Sequence, residues 1–414
     1  MAPDRLRVAA LTAAGGLALA AAATVAAPAA SAVSVKPTGT MVITYRGNGH
    51  GHGLSQYGAY GAALAGRSTA QILKEYYPGT AQKKLASAYL RVLLTGAGTT
   101  VTVWPAAGLH VTGISAALPR KNVARYRLRA GGSSGIVLER KTTAKGATFK
   151  TVKVGLPDGA QFSRPGGAPV RVALTDGTST AYFGQIRAVR ATPHGKDGGV
   201  HVVDRLGYNN YVRGVVPREM PASWSRAATD AQAIAARSYA VYEKQHAGGG
   251  YYDICDTSAC QVYGGHTHYT KSGAVAWTDF LQAARDTLNK VLTYQGSVIF
   301  AQYSASNGGW STSGGLPYLK AAKDPYDPGK SGDPYINAKK KVTVAHLASY
   351  LGLRTVTSIT ITKRDGHGTW GGRVISATVK GTTKAKKATS KAVSGATLQG
   401  AFGLGTTWLT VAAA

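Results

Sequence analysis

The sequence predicts an α+β fold: a mixed, β-rich architecture with a long helix that follows a candidate catalytic glutamate, plus a β-rich insertion. Two observations carry this expectation. Between residues 88 and 205, short β-branched runs such as LRVLL, TTVTVW, GIVLER, VRVAL and GGVHVVDRL are punctuated by glycine, which is the pattern of strands joined by tight turns. In Ala227 to Gln245, AATDAQAIAARSYAVYEKQ, the residues Ala231, Ile234, Ala235, Ser238 and Val241 or Tyr242 recur at helical spacing before Gly248-Gly249-Gly250, which reads as the strongest helix of the chain. Small residues fill its inner face, so another element must pack close against it.

The remaining elements follow in order. Arg5 and Arg7 precede an apolar run from Val8 to about Ala27 and then Ala30-Ser31-Ala32, the charged, apolar and small-x-small succession of an export signal. Residues 1-32 are therefore read as removed on export rather than as a membrane anchor, and no later segment is apolar enough to span a bilayer. STAQILKEYY, Ser68 to Tyr77, predicts a short helix capped by Ser68 and stopped by Pro78-Gly79. A second helix is expected near Val275 to Asn289, followed by the strand-like KVLTYQGSVIFAQYSAS. The basic run TTKAKKATSK at 382-391 reads as a solvated loop. Four segments result: 1-32 signal, 33-87, the β-rich 88-200, and 201-414.

Cys255 and Cys260 are the only cysteines. In an exported chain they favour one local disulfide, although with His246 or His266 nearby they could hold zinc. The chain carries 48 Lys and Arg against 18 Asp and Glu, +30; Arg5, Arg7 and Asp4 fall in the leader, which leaves +29. Such a surface concentrates polyanions. No aromatic-basic nucleic-acid motif is present, so an anionic wall polymer is the expected partner and nucleic acid is not.

Chemistry has few carriers. Only four glutamates occur, Glu75, Glu139, Glu219 and Glu243, and three of them have a plain reading as solvated partners of Lys or Arg. Glu219 lies in GVVPREMPASW, between two prolines that hold the backbone off the helical path, and beside Met220 and Trp224. As a carboxylate before a helix it would feel a dipole that lowers its pKa, whereas a general acid needs burial to raise it. No second acid pairs with it in sequence, so a glycosidase with two carboxylates is disfavoured and a substrate-supplied nucleophile is favoured. Near the start, GNGHGHGLSQYGA, Gly47 to Ala59, sets His50 and His52 among glycines.

The stretch YVRGVVPREMPASWSRAATDAQAIAARSYAVY, with CDTSACQVYGG and YSASNGGWS after it, resembles the catalytic domain of the SpoIID/LytB (stage II sporulation protein D) family of peptidoglycan lytic transglycosylases. That resemblance, over about residues 200 to 330, makes Glu219 the catalytic acid. GHGHGLSQYGA and ILKEYYPGT resemble the family's GHGxGMSQxGA and YYPGT segments, with His50 matching and His52 at a variable position, which weakens a metal clamp. The resemblance further implies substrate contacts from His50, Ser55, Gln56, Gln261, Tyr263, Ser304 and Ser306, with the glycines allowing close approach to the sugar chain. Gln232 and Arg237 also match, Arg237 as a structural tie to a carboxylate such as Asp253.

In that family the GHG segment normally follows the catalytic glutamate. Here it comes first, and the C-terminal SGATLQGAFGLGTTWLTV resembles the stretch that leads into it. A circular permutation is implied, and it predicts that Thr410 or Val411 lies beside the strand at Val42 to Tyr45. The expected activity is cleavage of the MurNAc-GlcNAc bond in peptide-stripped strands, leaving 1,6-anhydro ends, with no metal and no cofactor. The alternatives are a non-catalytic wall-binding module and a hydrolase that recruits Asp253, Asp324 or Asp327 as a second acid.

Overall fold

A computed structural model describes residues 32–191, 199–276, 281–329 and 331–414. The expected export signal, apart from Ala32, lies outside the described residues. Seven helices are described: α1 (Gln56–Leu64), α2 (Thr69–Tyr76), α3 (Tyr208–Glu219), α4 (Arg226–His246), α5 (Leu281–Asp286), α6 (Val344–Tyr350) and α7 (Gly395–Phe402). The strands of the β-rich region form a six-stranded and an eight-stranded sheet, which enclose a core of Val92, Leu128, Phe162, Ile186, Tyr211 and their neighbours.

α2 begins at the expected Ser68 cap, which forms a reciprocal capping box with Gln71. α4 buries Ala228, Ala231, Ile234 and Ala235 in the cluster that also holds Leu54, Ile72, Tyr77 and Met220. Its small residues admit α1, α2 and α3 to close range, as the small inner face demands. Arg237 is buried on this helix, but its partners are the Lys290 carbonyl (2.9 Å) and Thr287 Oγ1 (3.3 Å). Asp253, the carboxylate expected for it, instead pairs with Arg91.

The strand Thr40–Arg46 lies between Ile336–Thr343 and Leu409–Ala413, antiparallel to both. Val411 faces Ile43 and Thr410 faces Thr44, the adjacency that the permuted order predicts. A separate core, which includes Met41, Ile43, Leu347, Val379, Leu398 and Phe402, closes this C-terminal part.

Three local expectations are corrected, and the favoured disulfide is found. Residues Gly273–Ala276 are strand, and of the helix expected near 275–289 only α5 is described, since 277–280 lie outside the described residues. The 382–391 run forms the turn of a hairpin and the start of its second strand, Ala388–Ser394, which pairs with Val374–Thr382. Glu139 is buried between Arg127 and Arg129. Cys255 and Cys260 are joined as a disulfide, which excludes zinc on these thiols.

Asp204 is fully buried; its Oδ2 accepts from the Tyr263 hydroxyl at 2.9 Å, while Oδ1 has no partner. Burial pushes its pKa well above the carboxylate range, and the Tyr263 bond only partly opposes that. The folded protein therefore binds this proton more tightly than the unfolded chain, and stability falls as pH rises above the unfolded value of about 4. Asp204→Asn is expected to raise the melting temperature at pH 7 to 8 and to lose that advantage near pH 4; a pH series of thermal melts reads the difference.

Candidate active site

Glu219 is the last residue of α3, not a residue on a non-helical path, because Pro217 is tolerated inside the final turn. The structure thereby reverses the sign of the dipole effect. A helix C-terminus carries partial negative charge, which disfavours a carboxylate instead of favouring it. Two neutral donors hold the carboxyl: Gln56 Nε2 donates to Oε2 at 2.8 Å and the Tyr303 hydroxyl to Oε1 at 3.2 Å. Desolvation raises the Glu219 pKa, and the two hydrogen bonds oppose the rise without cancelling it.

Both donors are positioned by short elements. Gln56 opens α1, which Ser55 caps by accepting from Gly58 N at 3.2 Å. Tyr303 lies on a two-residue strand parallel to Leu54–Ser55. Behind Tyr303 runs a buried relay: Tyr211 donates to Gln261 Oε1 at 3.0 Å, and Gln261 Nε2 donates to the Tyr303 oxygen at 3.0 Å. Gln261 thus orients Tyr303 and touches Glu219 only through it. Burial, with Glu219 beside it, drives the Tyr303 hydroxyl far above its ordinary pKa, so it remains a donor.

The glycines of the opening motif do not face outward. Gly51 and Gly53 adopt φ of +77° and +62°, and a Cβ at either would strike Arg373 Nη2 (2.4 Å) or the Gln302 carbonyl (2.1 Å). Their permissive backbone lets the loop pack on Arg373 and the 302–306 segment rather than on a sugar. His50 is exposed, and its Nδ1 accepts from His52 N at 2.9 Å. Desolvation and the nearby His52 and Arg373 hold the His50 pKa down to about 4, against a raising contribution from the Tyr303 backbone. His50 is accordingly neutral near pH 7. Among the described residues, no group of three or more His, Cys, Asp or Glu could hold a metal ion.

Other predicted contacts serve the framework. Ser55 and Ser306 are fully buried: Ser55 caps α1, and Ser306 Oγ lies 3.1 and 2.6 Å from Asp327 and Asp333 Oδ2. Tyr263 packs on Tyr211 and donates to Asp204. Ser304 is buried against Gly49. Asp324 accepts from Tyr76 and Asn307, Asp327 from Gly308 N, and Asp253 from Arg91, so these three acids are engaged away from Glu219. Sequence reasoning missed Tyr303 itself, and with it Tyr57 and Tyr60, which pack on Trp224 at centroid distances of 5.0 and 4.6 Å.

A helix-terminal glutamate, desolvated and held by an amide and a phenol, is a candidate for single-carboxyl acid chemistry. Residues 196–294 match the family model described as "SpoIID: Stage II sporulation protein". The chain is 42% identical over 125 residues to the amidase enhancer of Bacillus subtilis (strain 168), covering 28% of this chain and 16% of that protein. It is 30% identical over 197 residues to stage II sporulation protein D of the same organism, covering 44% of this chain and 56% of the relative. The same-named protein of Bacillus amyloliquefaciens is 28% identical over 177 residues, 39% of this chain and 50% of that one. These matches support the SpoIID/LytB family for the matched region, and the chain spans little more than half the length of these relatives at most.

The hydrogen bonds imply a titration order. Replacing Tyr303 by Phe, or Gln56 by Leu, removes a bond that stabilises the charged form, so each change is expected to raise the Glu219 pKa further. Carboxyl-carbon NMR titration of the four glutamates checks this; a Glu219 value at or below the ordinary glutamate value of about 4.3 in the wild type contradicts the desolvated site.

Proposed function

We propose that the chain is an exported lytic transglycosylase that cleaves the MurNAc-GlcNAc bond of peptidoglycan, with Glu219 as its acid and then its base. The observation that carries this reading is the desolvated Glu219 carboxyl, held by Gln56 and Tyr303 with no second carboxylate hydrogen-bonded to it. Membership of a family whose printed names refer to sporulation and amidase enhancement supports a role at the cell wall. Export rests on the pattern of residues 1-32; among the described residues no helix is long and apolar enough to cross a membrane.

In the proposed reaction, protonated Glu219 gives its proton to the glycosidic oxygen as the bond to C1 breaks. The C6 hydroxyl of the same muramic residue then bonds to C1, and its proton passes to the Glu219 carboxylate. The products are a 1,6-anhydro end and a free GlcNAc hydroxyl, and the acid is restored without water. His50, exposed and neutral, supplies imidazole hydrogen-bonding groups to the strand. The face of Tyr57, Tyr60 and Trp224 offers aromatic surface for sugar rings. Peptide-free strands, with their lactyl carboxylates exposed, suit the +29 charge left after the leader.

Mass spectrometry of peptide-free glycan strands, incubated with the wild type and with Glu219→Gln, tests the reaction. Anhydro-muramyl ends from the wild type alone are expected, with the variant reduced at least about a hundredfold. Reducing ends would indicate a hydrolase, and unchanged strands a binding module. Because the active form is protonated, the rate is expected to fall as pH rises through the elevated Glu219 pKa.

We also infer that the order of segments is a permutation of the usual family order. Ala414 N donates to the Thr40 carbonyl at 2.9 Å, so the two ends can be joined by a short turn. A variant that links residue 414 to residue 38 and opens between residues 87 and 88 is expected to fold, with a melting temperature within a few degrees of the wild type and unchanged cleavage products. Failure to fold would reject the inference.

A further inference from the structure

The β-rich region contains a second concavity, at the end of α3 remote from Glu219. It is a cavity of about 520 Å³, walled in part by Tyr89, Arg164, Phe183, Gln185, Arg205 and Asn210. α3 has twelve residues, so at 1.5 Å per residue the cavity lies about 18 Å along the helix from the catalytic carboxyl. No carboxylate lines it. Among the described residues, neither Arg164 nor Arg205 forms an ion pair.

Hydrogen bonding fixes the polarity of the walls. Arg205 Nη1 donates to Gln185 Oε1 at 2.8 Å, and Arg213 Nη1 donates to Asn210 Oδ1 at 3.1 Å. A guanidinium can only donate, so both amide oxygens are committed to arginine and the amide NH2 groups remain to bond a guest. Arg164 is fixed by the Ala107 carbonyl at 3.0 Å and the Pro169 carbonyl at 2.7 Å. Arg205 lies 3.8 Å over the ring of Tyr89, which is 52% exposed. Besides the hydroxyls of Ser87 and Ser163, the polar side chains of the lining are thus two guanidiniums and two amide donors, together with the rings of Tyr89 and Phe183. Such a lining is complementary to an acceptor-rich anion on an apolar body.

We propose that this cavity is a second holding site for the glycan strand, which takes a sugar bearing a pendant carboxylate. Only the choice of sugar rests on the peptidoglycan reading; the anion preference stands on the donor lining. Holding a strand here as well as at Glu219 gives two points of attachment on one rigid helix.

The test uses the full chain carrying Glu219→Gln, so that strands survive. Isothermal titration compares peptide-free GlcNAc-MurNAc oligomers, which carry carboxylates, with N-acetylglucosamine oligomers of equal length, which carry none, and with poly(glycerol phosphate). The muramyl oligomers are expected to bind best. Arg205→Gln should weaken them about tenfold, the loss of one charge-assisted hydrogen bond, and Arg205→Lys by an intermediate factor. The side-chain amide NH2 resonances of Gln185 and Asn210 should shift with muramyl oligomers on the chain that retains both arginines, which keeps the test independent of variant folding. Static resonances, equal affinity for the two sugar oligomers, or unchanged affinity in the Arg164→Gln, Arg205→Gln double variant would overturn the site. Tighter binding of the phosphate polymer would overturn the sugar-acid assignment. Cleavage by the wild type is read separately: absent cleavage with Arg205-dependent binding removes the enzyme and leaves the site.

Discussion

A carboxyl held out of water at a helix C-terminus is the constraint around which this molecule is arranged. Desolvation raises the pKa of a carboxyl, and it is costly unless the polar atoms keep partners. Gln56 and Tyr303 are those partners, and each is neutral, so the carboxyl is satisfied without being forced to ionise. An arginine in either place would stabilise the anion and lower the Glu219 pKa. The two donors come from segments far apart in sequence, on opposite sides of the family-matched region. The site is therefore a property of the whole assembly of α1, α3, α4 and the 302–306 segment.

The relay behind Tyr303 shows how the surrounding core supports this. Tyr211 and Gln261 are buried, and they fix the phenol by a chain of bonds whose donors and acceptors are all assigned. Gln261 is in turn near the Cys255–Cys260 loop, which the disulfide closes. Rigid support at this range is what keeps a proton donor aimed.

How much of this was legible in sequence depended on how local the cause was. α2 and α4 were readable because caps and small-residue periodicity act within a few residues. The disulfide was favoured by proximity and the expected compartment. α3 was hidden because Pro217 argues against helix, although a proline in the last turn breaks only one bond. Ser55 was ambiguous, since a hydroxyl before a helix reads equally as a cap or a ligand. On the strand at 303–304, successive side chains point to opposite sides, so attention to Ser304 led away from Tyr303. Arg237 was recognised as structural, but its partners include a backbone carbonyl, which no residue identity reveals.

The strand Thr40–Arg46 is the middle strand of its sheet, and its two neighbours lie about three hundred and about three hundred and seventy residues later in the chain. A newly made N-terminal segment consequently has no strand of this sheet to join until Ile336–Thr343 has been synthesised, and gains its second neighbour only with Leu409–Ala413. Closing so long a loop is entropically slow and comes late in folding. The loop that carries His50 and the helix that carries Gln56 both hang from this strand. The placement of Gln56 beside Glu219 thus rests on a strand whose pairings close over about three hundred residues or more of chain.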